Sequence, residues 1–180
     1  MTPQHIIHFW ADEVGDKRWF DPNPQLDSEI AQRFGETYAL ARDGKLSDWE
    51  NTVDGALALL ILLDQFPRNM FRGRAEAFAT DAQARAIADR AIARGFDLQI
   101  TQNLRPFFYL PLSHSEHIED QERCVRLVAE HLGKDGVNYS FALAHRDVIA
   151  KFGRFPGRNV ALGRQSTAEE LQFLDNHPPF

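Results

Sequence analysis

The apolar residues of this chain recur mostly at helical spacing. They lie three or four positions apart, as in Leu26, Ile30 and Phe34, which is the period of a helix with one buried face. No segment alternates apolar and polar residues between turn residues, the pattern of a half-buried strand. The sequence therefore predicts an all-α fold.

Start and stop signals divide the chain into about eight helices. Asn23 followed by Pro24 is typical of a helix start. Capping-box patterns, in which Ser or Thr precedes Glu or Gln by three residues, occur at Ser47, Thr80 and Ser166. The predicted helices cover approximately residues 2–15, 24–42, 53–65, 80–94, 107–110, 115–132, 138–152 and 166–174.

The third of these helices is expected at the centre of the fold. It is apolar on all sides over Ala56–Leu63, and Pro67 is expected to end it. Helices separated by similar arginine-containing loops favour stacked antiparallel hairpins of the tetratricopeptide type, although the repeat of about 34 residues typical of that class is not visible. With no linker in the chain, residues 1–180 are predicted to form one domain.

Composition and charge narrow the range of partners. The formal net charge is −6, whereas proteins that bind nucleic acids usually carry a basic surface. The longest apolar run, Ala56–Leu63, is too short to cross a bilayer, and no basic and apolar leader opens the chain. Cys124 is the only cysteine, which excludes an intrachain disulfide and fits a reducing compartment. We therefore expect a cytoplasmic protein with neither nucleic-acid nor membrane partners.

Two segments combine arginines with phenylalanines. We call Phe66–Arg74 the first arginine segment and Phe152–Arg164 the second. Arginine-rich loops are normally exposed, but the phenylalanines are expected to draw these two toward a core, where guanidinium groups need carboxylate or ligand partners. The candidate ligand-binding residues are therefore Asp64, Arg68, Asn69, Arg72, Gln121, Arg154, Arg158, Asn159 and Arg164.

Asp64 adds weight to this interpretation. It lies at the C-terminal end of the most apolar helix, where the helix dipole disfavours a carboxylate unless a cation is close. One interpretation is a buried Asp–Arg network that only locks the two arginine segments together, with Arg68, Arg72, Arg154, Arg158 and Arg164 as the candidate cations. The other leaves some arginines to hold a phosphate or carboxylate through two parallel hydrogen bonds. The two can coexist.

Four residues are candidates for proton transfer. His114, Glu116 and Asp120 lie near the start of the predicted helix 115–132, whose apolar face turns polar there. Alternatively, the acids only complement the helix dipole. His145 lies on the apolar stripe of the next helix, where a histidine is most often a core residue, and as a base it would need a hydrogen-bonded partner. The spacing does not match H-E-x-x-H, so no metal site is expected.

Long motifs of the chain are similar to those of a known family. They are Leu62–Asn69, Ala77–Asp81, Leu110–Glu116, Asp120–Gln121, His145–Asp147, Phe152–Pro156 and Leu162–Thr167. Together they resemble the bacterial domain-of-unknown-function family 924 over essentially the whole chain. The resemblance implies an all-α fold of the tetratricopeptide-like superfamily and implies no reaction. Gly157 stands where the family motif commonly carries histidine, so we build no mechanism on that position.

Two functional hypotheses follow. The first is a protein, whether or not an enzyme, that binds a small anionic ligand in an arginine-lined interior pocket; an enzyme of this kind would be a hydrolase or transferase. The absence of P-loop, G-x-G-x-x-G, G-x-S-x-G and paired-cysteine motifs excludes many nucleotide, hydrolase and zinc classes, and we expect no cofactor. The second is a scaffold that binds a peptide or protein partner. An enclosed pocket with unpaired guanidinium groups would favour the first hypothesis, and closed ion pairs would favour the second.

Overall fold

The computed structural model describes residues 1–177 and confirms the all-α fold, with no strand among those residues. The α-helices are α1 (Pro3–His8), α2 (Pro24–Arg42), α3 (Val53–Leu60), α4 (Phe66–Met70), α5 (Asp81–Ala93), α6 (Pro106–Ser113), α7 (Ile118–His131), α8 (Val137–Phe152) and α9 (Ala168–Asn176). Across this described part of the chain, none of the helices is both long and apolar enough to cross a membrane.

The chain packs into two compact units. The first comprises Met1–Arg72 with Glu76–Pro111, and the second comprises Gly73–Ala75 with the chain from Leu112 onward. The single domain over residues 1–180, of which 178–180 lie outside the described residues, stays a prediction, as does tetratricopeptide-like stacking.

The first unit is built around α3 and an aromatic cluster. Every residue of α3 from Gly55 to Leu60 is buried, as the uniformly apolar sequence predicts. The ring of Phe34 lies with its centroid 4.7 Å from that of Phe9 and 5.0 Å from that of Phe66, distances at which aromatic pairs add to the stability that burial provides.

A π-helical turn, Ile61–Gln65, joins α3 to α4. Pro67 has no N–H, so the carbonyl of Leu63, four residues earlier, loses its α-helical donor. The hydroxyl of Thr80 donates to this carbonyl at 2.5 Å instead. The expectation that Pro67 ends the helix is therefore wrong: α4 continues through Met70, and a side chain distant in sequence supplies the missing hydrogen bond.

The second unit packs α7 along α8, which are joined by a short turn. Its core contains Val148, Ile149 and Phe155, with Ile118, Phe152 and Phe173 packed against them. Most of the second arginine segment follows α8 and precedes α9, so both helices fix its ends.

The start of α9 differs by one residue from the sequence expectation. Its capping box is formed by Thr167 and Glu170, not by Ser166 and Glu169. The hydroxyl of Thr167 accepts from the Glu170 N–H, and the Glu170 carboxylate accepts from the Thr167 N–H at 2.8 Å. This register places Glu170 toward the second arginine segment.

We expect Thr80→Val to lower the free energy of unfolding by about 1–3 kcal/mol, because it leaves the buried carbonyl of Leu63 without its donor. Urea unfolding followed by circular dichroism measures the loss. Thr101→Val, at an exposed position, is the control and should change stability by less than about 0.5 kcal/mol. Equal stability of the two variants would show that the Thr80 hydroxyl does not support the π-helical turn.

Candidate functional site

In the first unit, Arg68 is held between two carboxylates. Its Nη1 lies 3.2 Å from Asp64 Oδ1 and 3.0 Å from Asp81 Oδ1, and its Nη2 donates to Asp81 Oδ2 at 3.1 Å. Burial lowers the pKa of Arg68, but the charges of Asp64 and Asp81 more than compensate, so the pKa lies above its ordinary value. Asp64, 1% exposed, also accepts a hydrogen bond from Gln65 Nε2. The predicted Asp–Arg pair therefore exists, and Arg68 is its cation.

Asn69 and Arg72 bind one further carboxylate, that of Asp27 in the first turn of α2. Arg72 donates from Nε to Asp27 Oδ2 at 2.8 Å and from Nη2 to Oδ1 at 2.9 Å. Asn69 Nδ2 donates to the same Oδ1 at 2.9 Å. These two candidate ligand residues therefore fasten the end of α4 to the start of α2.

In the second unit, five side chains form a continuous network, which we call the second-segment network. Arg164 donates to both carboxylate oxygens of Glu116, at 2.7 and 2.9 Å, and from Nε to Asn159 Oδ1 at 2.9 Å. Asn159 Nδ2 donates to Glu170 Oε2 at 3.3 Å. Arg154 closes the other end with bonds of 2.6 and 2.9 Å to Glu170. A neutral, fully buried amide therefore joins two ion pairs.

The network also fixes the backbone of the second arginine segment. Glu116 Oε1 accepts from the Phe155 N–H at 2.8 Å, and Arg164 Nη2 donates to the Phe155 carbonyl at 3.1 Å. Burial raises the pKa of Glu116, but the hydrogen bonds from Arg164 and Phe155 lower it further, to below its ordinary value. Hydrogen bonds from Arg154 hold the pKa of Glu170 at about 2. Glu116 is thus an ionised structural group, not a proton donor at neutral pH.

Asp120 and Gln121 likewise bind groups of the chain itself. Asp120 accepts from the Ser115 hydroxyl at 2.6 Å in the first turn of α7, where the helix dipole favours an acid. Gln121, fully buried, donates from Nε2 to the carbonyls of Ser113 and Ser115 at 2.6 and 2.7 Å. Both residues hold the turn before α7.

The two histidine candidates lie together beside Arg158. We call His114, His145, Phe155 and Arg158 the histidine cluster. The ring centroid of His145 lies 6.3 Å from that of His114 and 5.6 Å from that of Phe155. Arg158, 7% exposed, stacks 4.5 Å above the Phe155 ring and donates to the His114 carbonyl at 2.9 Å. His145 is half-buried, and its Nδ1 lies 2.8 Å from the Phe141 carbonyl.

The clefts of the structure do not match the arginine-lined interior pocket of the first hypothesis. One cleft of about 380 Å³ is lined by Pro24, Gln25, Ser28, Glu29 and Gln32. Another, of about 300 Å³, is lined by Met1, His5, His8, Glu13, Arg33 and Phe34. Neither cleft includes a residue of either arginine segment, and the guanidinium groups of Arg68, Arg72, Arg154 and Arg164 are bound to carboxylates instead.

Metal binding and nucleophilic thiol chemistry have little support in the described part of the chain. Residues 1–177 contain no group of three or more His, Cys, Asp or Glu side chains placed to hold a metal ion. Burial raises the pKa of the Cys124 thiol to about 12, so it stays protonated at neutral pH, whereas the thiolate is the nucleophilic form.

Sequence reasoning missed the carboxylates that close the ion pairs. Asp27, Asp81 and Glu170 each lie in the first turn of a helix, where an acid is normally explained by the helix dipole. Of these three acids, only Asp81 could have been noticed from the sequence, since it belongs to Ala77–Asp81, one of the segments that resemble the family.

Comparison with known proteins extends over both units. The family model for bacterial proteins of unknown function, DUF924, matches residues 6–177. A solved structure of a protein of unknown function from Agrobacterium tumefaciens, ATU0120, is similar with 43% identity and a TM-score of 0.92, over 97% of each chain. Among curated proteins, none matches this chain.

We expect Asp64→Ala to lower the free energy of unfolding by about 3–5 kcal/mol, because it leaves a largely buried guanidinium without one of its two carboxylates. Asp48→Ala removes an exposed carboxylate of the same unit and is the control. A loss below about 1 kcal/mol at position 64, measured by urea unfolding, would show that the Asp64–Arg68 pair is not a structural element.

The low pKa of Glu170 makes the second unit sensitive to acid. An unfolded Glu titrates near pH 4.3 and the folded one at about 2. Its stabilising contribution is therefore fully present above the unfolded value and is lost as the pH falls toward 2. We expect Glu170→Gln to be less stable than the wild type at neutral pH, with the difference shrinking as the pH falls from about 5 toward 2.

The matched control is Glu169→Gln, which alters the neighbouring, exposed carboxylate paired with Lys151. Urea unfolding at several pH values measures all three proteins. A Glu170→Gln difference that is independent of pH, or one equal to that of Glu169→Gln, would contradict the assignment.

Proposed function

We propose that this chain, which belongs to the family of bacterial proteins of unknown function DUF924, binds a small anion at its histidine cluster. The anion is a phosphate or a carboxylate. The observation that carries the proposal is that the imidazole rings of His114 and His145 lie close to each other, and that His145 contacts the Phe155 ring on which the buried Arg158 stacks.

The charges of the second unit support a ligand of negative sign. In the second-segment network, Glu116 balances Arg164 and Glu170 balances Arg154. The guanidinium of Arg158 donates to the His114 carbonyl, which places a third nitrogen-bearing side chain close to the two histidines. Guanidinium groups and imidazolium rings are donors that suit phosphate and carboxylate oxygens.

The backbone at His114 is held in place before any ligand arrives. Gln121 binds the carbonyls on either side of it, and Arg158 binds its own carbonyl. Both supporting side chains are buried. Because this backbone is already fixed, only the side chain of His114 would lose conformational freedom on binding a ligand. The network arginines act in this proposal as support, and the histidines make the contact.

A scaffold that binds a peptide or protein is the second candidate function. The closed ion pairs of Arg68, Arg72, Arg154 and Arg164 favour it, because a guanidinium bound to a carboxylate within the chain has no need of a ligand. If the chain is an enzyme, His114 and His145 are the residues placed to transfer protons, in a hydrolase or transferase reaction. A cytoplasmic location also stays part of the proposal, since the single cysteine needs no oxidising compartment.

Titration with inorganic phosphate and with citrate tests the anion proposal. We expect either anion, at a concentration about 100 times its dissociation constant, to stabilise the protein by about 2.7 kcal/mol, seen as a rise in the unfolding temperature near pH 6. His145→Ala should abolish this rise. His117→Ala removes an exposed histidine of the same unit and should keep it.

Two outcomes would contradict the proposal. One is the absence of stabilisation by any anion at millimolar concentration, which would leave the scaffold as the better explanation. The other is equal stabilisation of wild type and His145→Ala, which would place the anion elsewhere. Circular dichroism of each variant without anion checks that the helices are intact.

A further inference from the structure

We infer that a cleft beside α1 binds a small primary alkylamine, whose ammonium group is held between His8 and Glu13. This site lies in the first unit, so the inference goes beyond the anion proposed for the histidine cluster and does not depend on it. The cleft of about 300 Å³, which we call the α1 cleft, has the size of a pocket for a small molecule. The geometry that carries the inference is a pair of hydrogen-bond acceptors that face each other there.

A π-helical turn brings these two residues onto one face. The turn covers Phe9–Val14, directly after α1. Residues five apart in sequence point about 140° apart around an α-helix, whereas the wider π-turn, with its i to i+5 hydrogen bonds, stacks them above each other. Glu13 Oε1 accordingly lies 3.9 Å from His8 Nε2, and Asp12 Oδ2 lies 2.8 Å from His8 Nδ1. The ring of His8 therefore meets a carboxylate at each of its nitrogens.

The hydrogen bond to Asp12 fixes the tautomer of a neutral His8. A carboxylate oxygen can only accept, so Nδ1 carries the hydrogen and Nε2 has a lone pair. Glu13 Oε1 is also an acceptor, and two acceptors cannot hydrogen-bond each other. An ammonium group carries three N–H donors, and acceptors that each lie about 2.9 Å from its nitrogen can be 3.9 Å apart. One primary ammonium group can therefore bind both atoms.

Arg33 holds Glu13 in position and keeps it ionised. It donates to the two carboxylate oxygens at 2.7 and 3.1 Å, and its guanidinium lies 4.4 Å from the centroid of the Phe9 ring. The hydrogen bonds from Arg33 lower the pKa of Glu13 below its ordinary value. Because each carboxylate oxygen can accept more than one hydrogen bond, Glu13 can bind Arg33 and a ligand at the same time.

The charges around the α1 cleft favour a cation over an anion. The charged and titratable groups that line it or bind its lining residues are His5, His8, Asp12, Glu13, Glu29 and Arg33. Among these groups, one guanidinium faces three carboxylates. Arg33 is shared between Glu13 and Glu29, to which it donates at 2.8 Å. An anion would have to displace a carboxylate from Arg33, whereas a cation meets an excess of negative charge.

The apolar residues of the α1 cleft favour an amine that carries an alkyl chain. Met1 and Phe34 line the same cleft as the two acceptors, and Met1 is 59% exposed. An alkyl chain can cover part of this apolar surface while the ammonium group stays between His8 and Glu13, and this burial favours an alkylamine over the ammonium ion itself.

Titration with n-butylamine, followed by NMR of the ¹⁵N-labelled full chain, tests the site. At pH 8 the amine is charged, whereas an ordinary histidine is neutral. An ionic strength of about 10 mM keeps the Debye length near 30 Å, so that the charges of the cleft are little screened. We expect saturable shifts of the backbone signals from His8 to Glu13. Tetramethylammonium has the same charge but no N–H donor, so it should bind at least about tenfold more weakly.

Glu13→Gln and His8→Phe are the diagnostic variants. The first removes the charge of one acceptor and the second keeps a ring without a lone pair, so each should weaken butylamine binding at least about tenfold. Glu36→Gln alters an exposed carboxylate of the same unit and is the matched control, which should keep the wild-type affinity. Circular dichroism of each variant checks that the helices are intact.

The contrary outcomes are distinct. Absence of saturable butylamine binding would overturn the inference and leave the anion proposal untouched, because the two sites lie in different units. Equal binding of tetramethylammonium, or wild-type affinity in either diagnostic variant, would show that the cleft supplies only unspecific charge attraction. Nα-acetyl-lysine amide carries the same ammonium group on a peptide-like body. Tighter binding of this compound than of butylamine would overturn the assignment to a free amine and point to a lysine side chain of a partner protein.

Discussion

A charged group that folding removes from water must find its counter-charge within the protein, and this constraint shapes both arginine segments. The side chains of Arg68, Arg154 and Arg164 are only 21–28% exposed. Removing one partner from such a pair is far more costly than the pair is worth in net stability, because a desolvated charge remains. Each carboxylate is therefore tied to the position of its arginine, and each segment is tied to the helix or turn that carries the carboxylate.

The same principle governs the uncharged backbone. Wherever a helix is interrupted, peptide groups lose their regular partners and something else must bind them. Thr80 does so at Pro67 in the first unit. In the second unit, Glu116 accepts from the N–H of Phe155 and Arg164 donates to the carbonyl of Phe155, while Gln121 donates to carbonyls of the turn before α7. The polar side chains that the sequence motifs singled out, such as Glu116, Gln121 and Arg164, thus mainly support irregular backbone.

The periodicity of the sequence was sufficient to predict the helices and the central position of α3, because both depend on residues that are close together in the chain. It was also sufficient to predict that Asp64 needs a cation. It could not name the partners Asp27 and Glu170, since two acids in first helical turns look alike until the chain brings one of them to an arginine. Helical periodicity also predicted that the stripe containing His145 faces the core. Phe141, which belongs to that stripe, is nevertheless 54% exposed, because the first turns of α8 extend beyond the core.

The amide of Asn159 gives the second-segment network a direction. Its oxygen receives a hydrogen bond from Arg164 and its nitrogen gives one to Glu170, so donor and acceptor order is set along the whole series. If the acid and the base of one ion pair alone were exchanged, Asn159 would face two carboxylates or two guanidinium groups. One of the two would then meet the wrong end of the amide. Rotating the amide by 180° would only transfer this mismatch to the other ion pair. The two ion pairs, although separate in charge, can therefore be inverted only together, and a relative of this chain with one of them reversed should have replaced Asn159 or reversed the other as well.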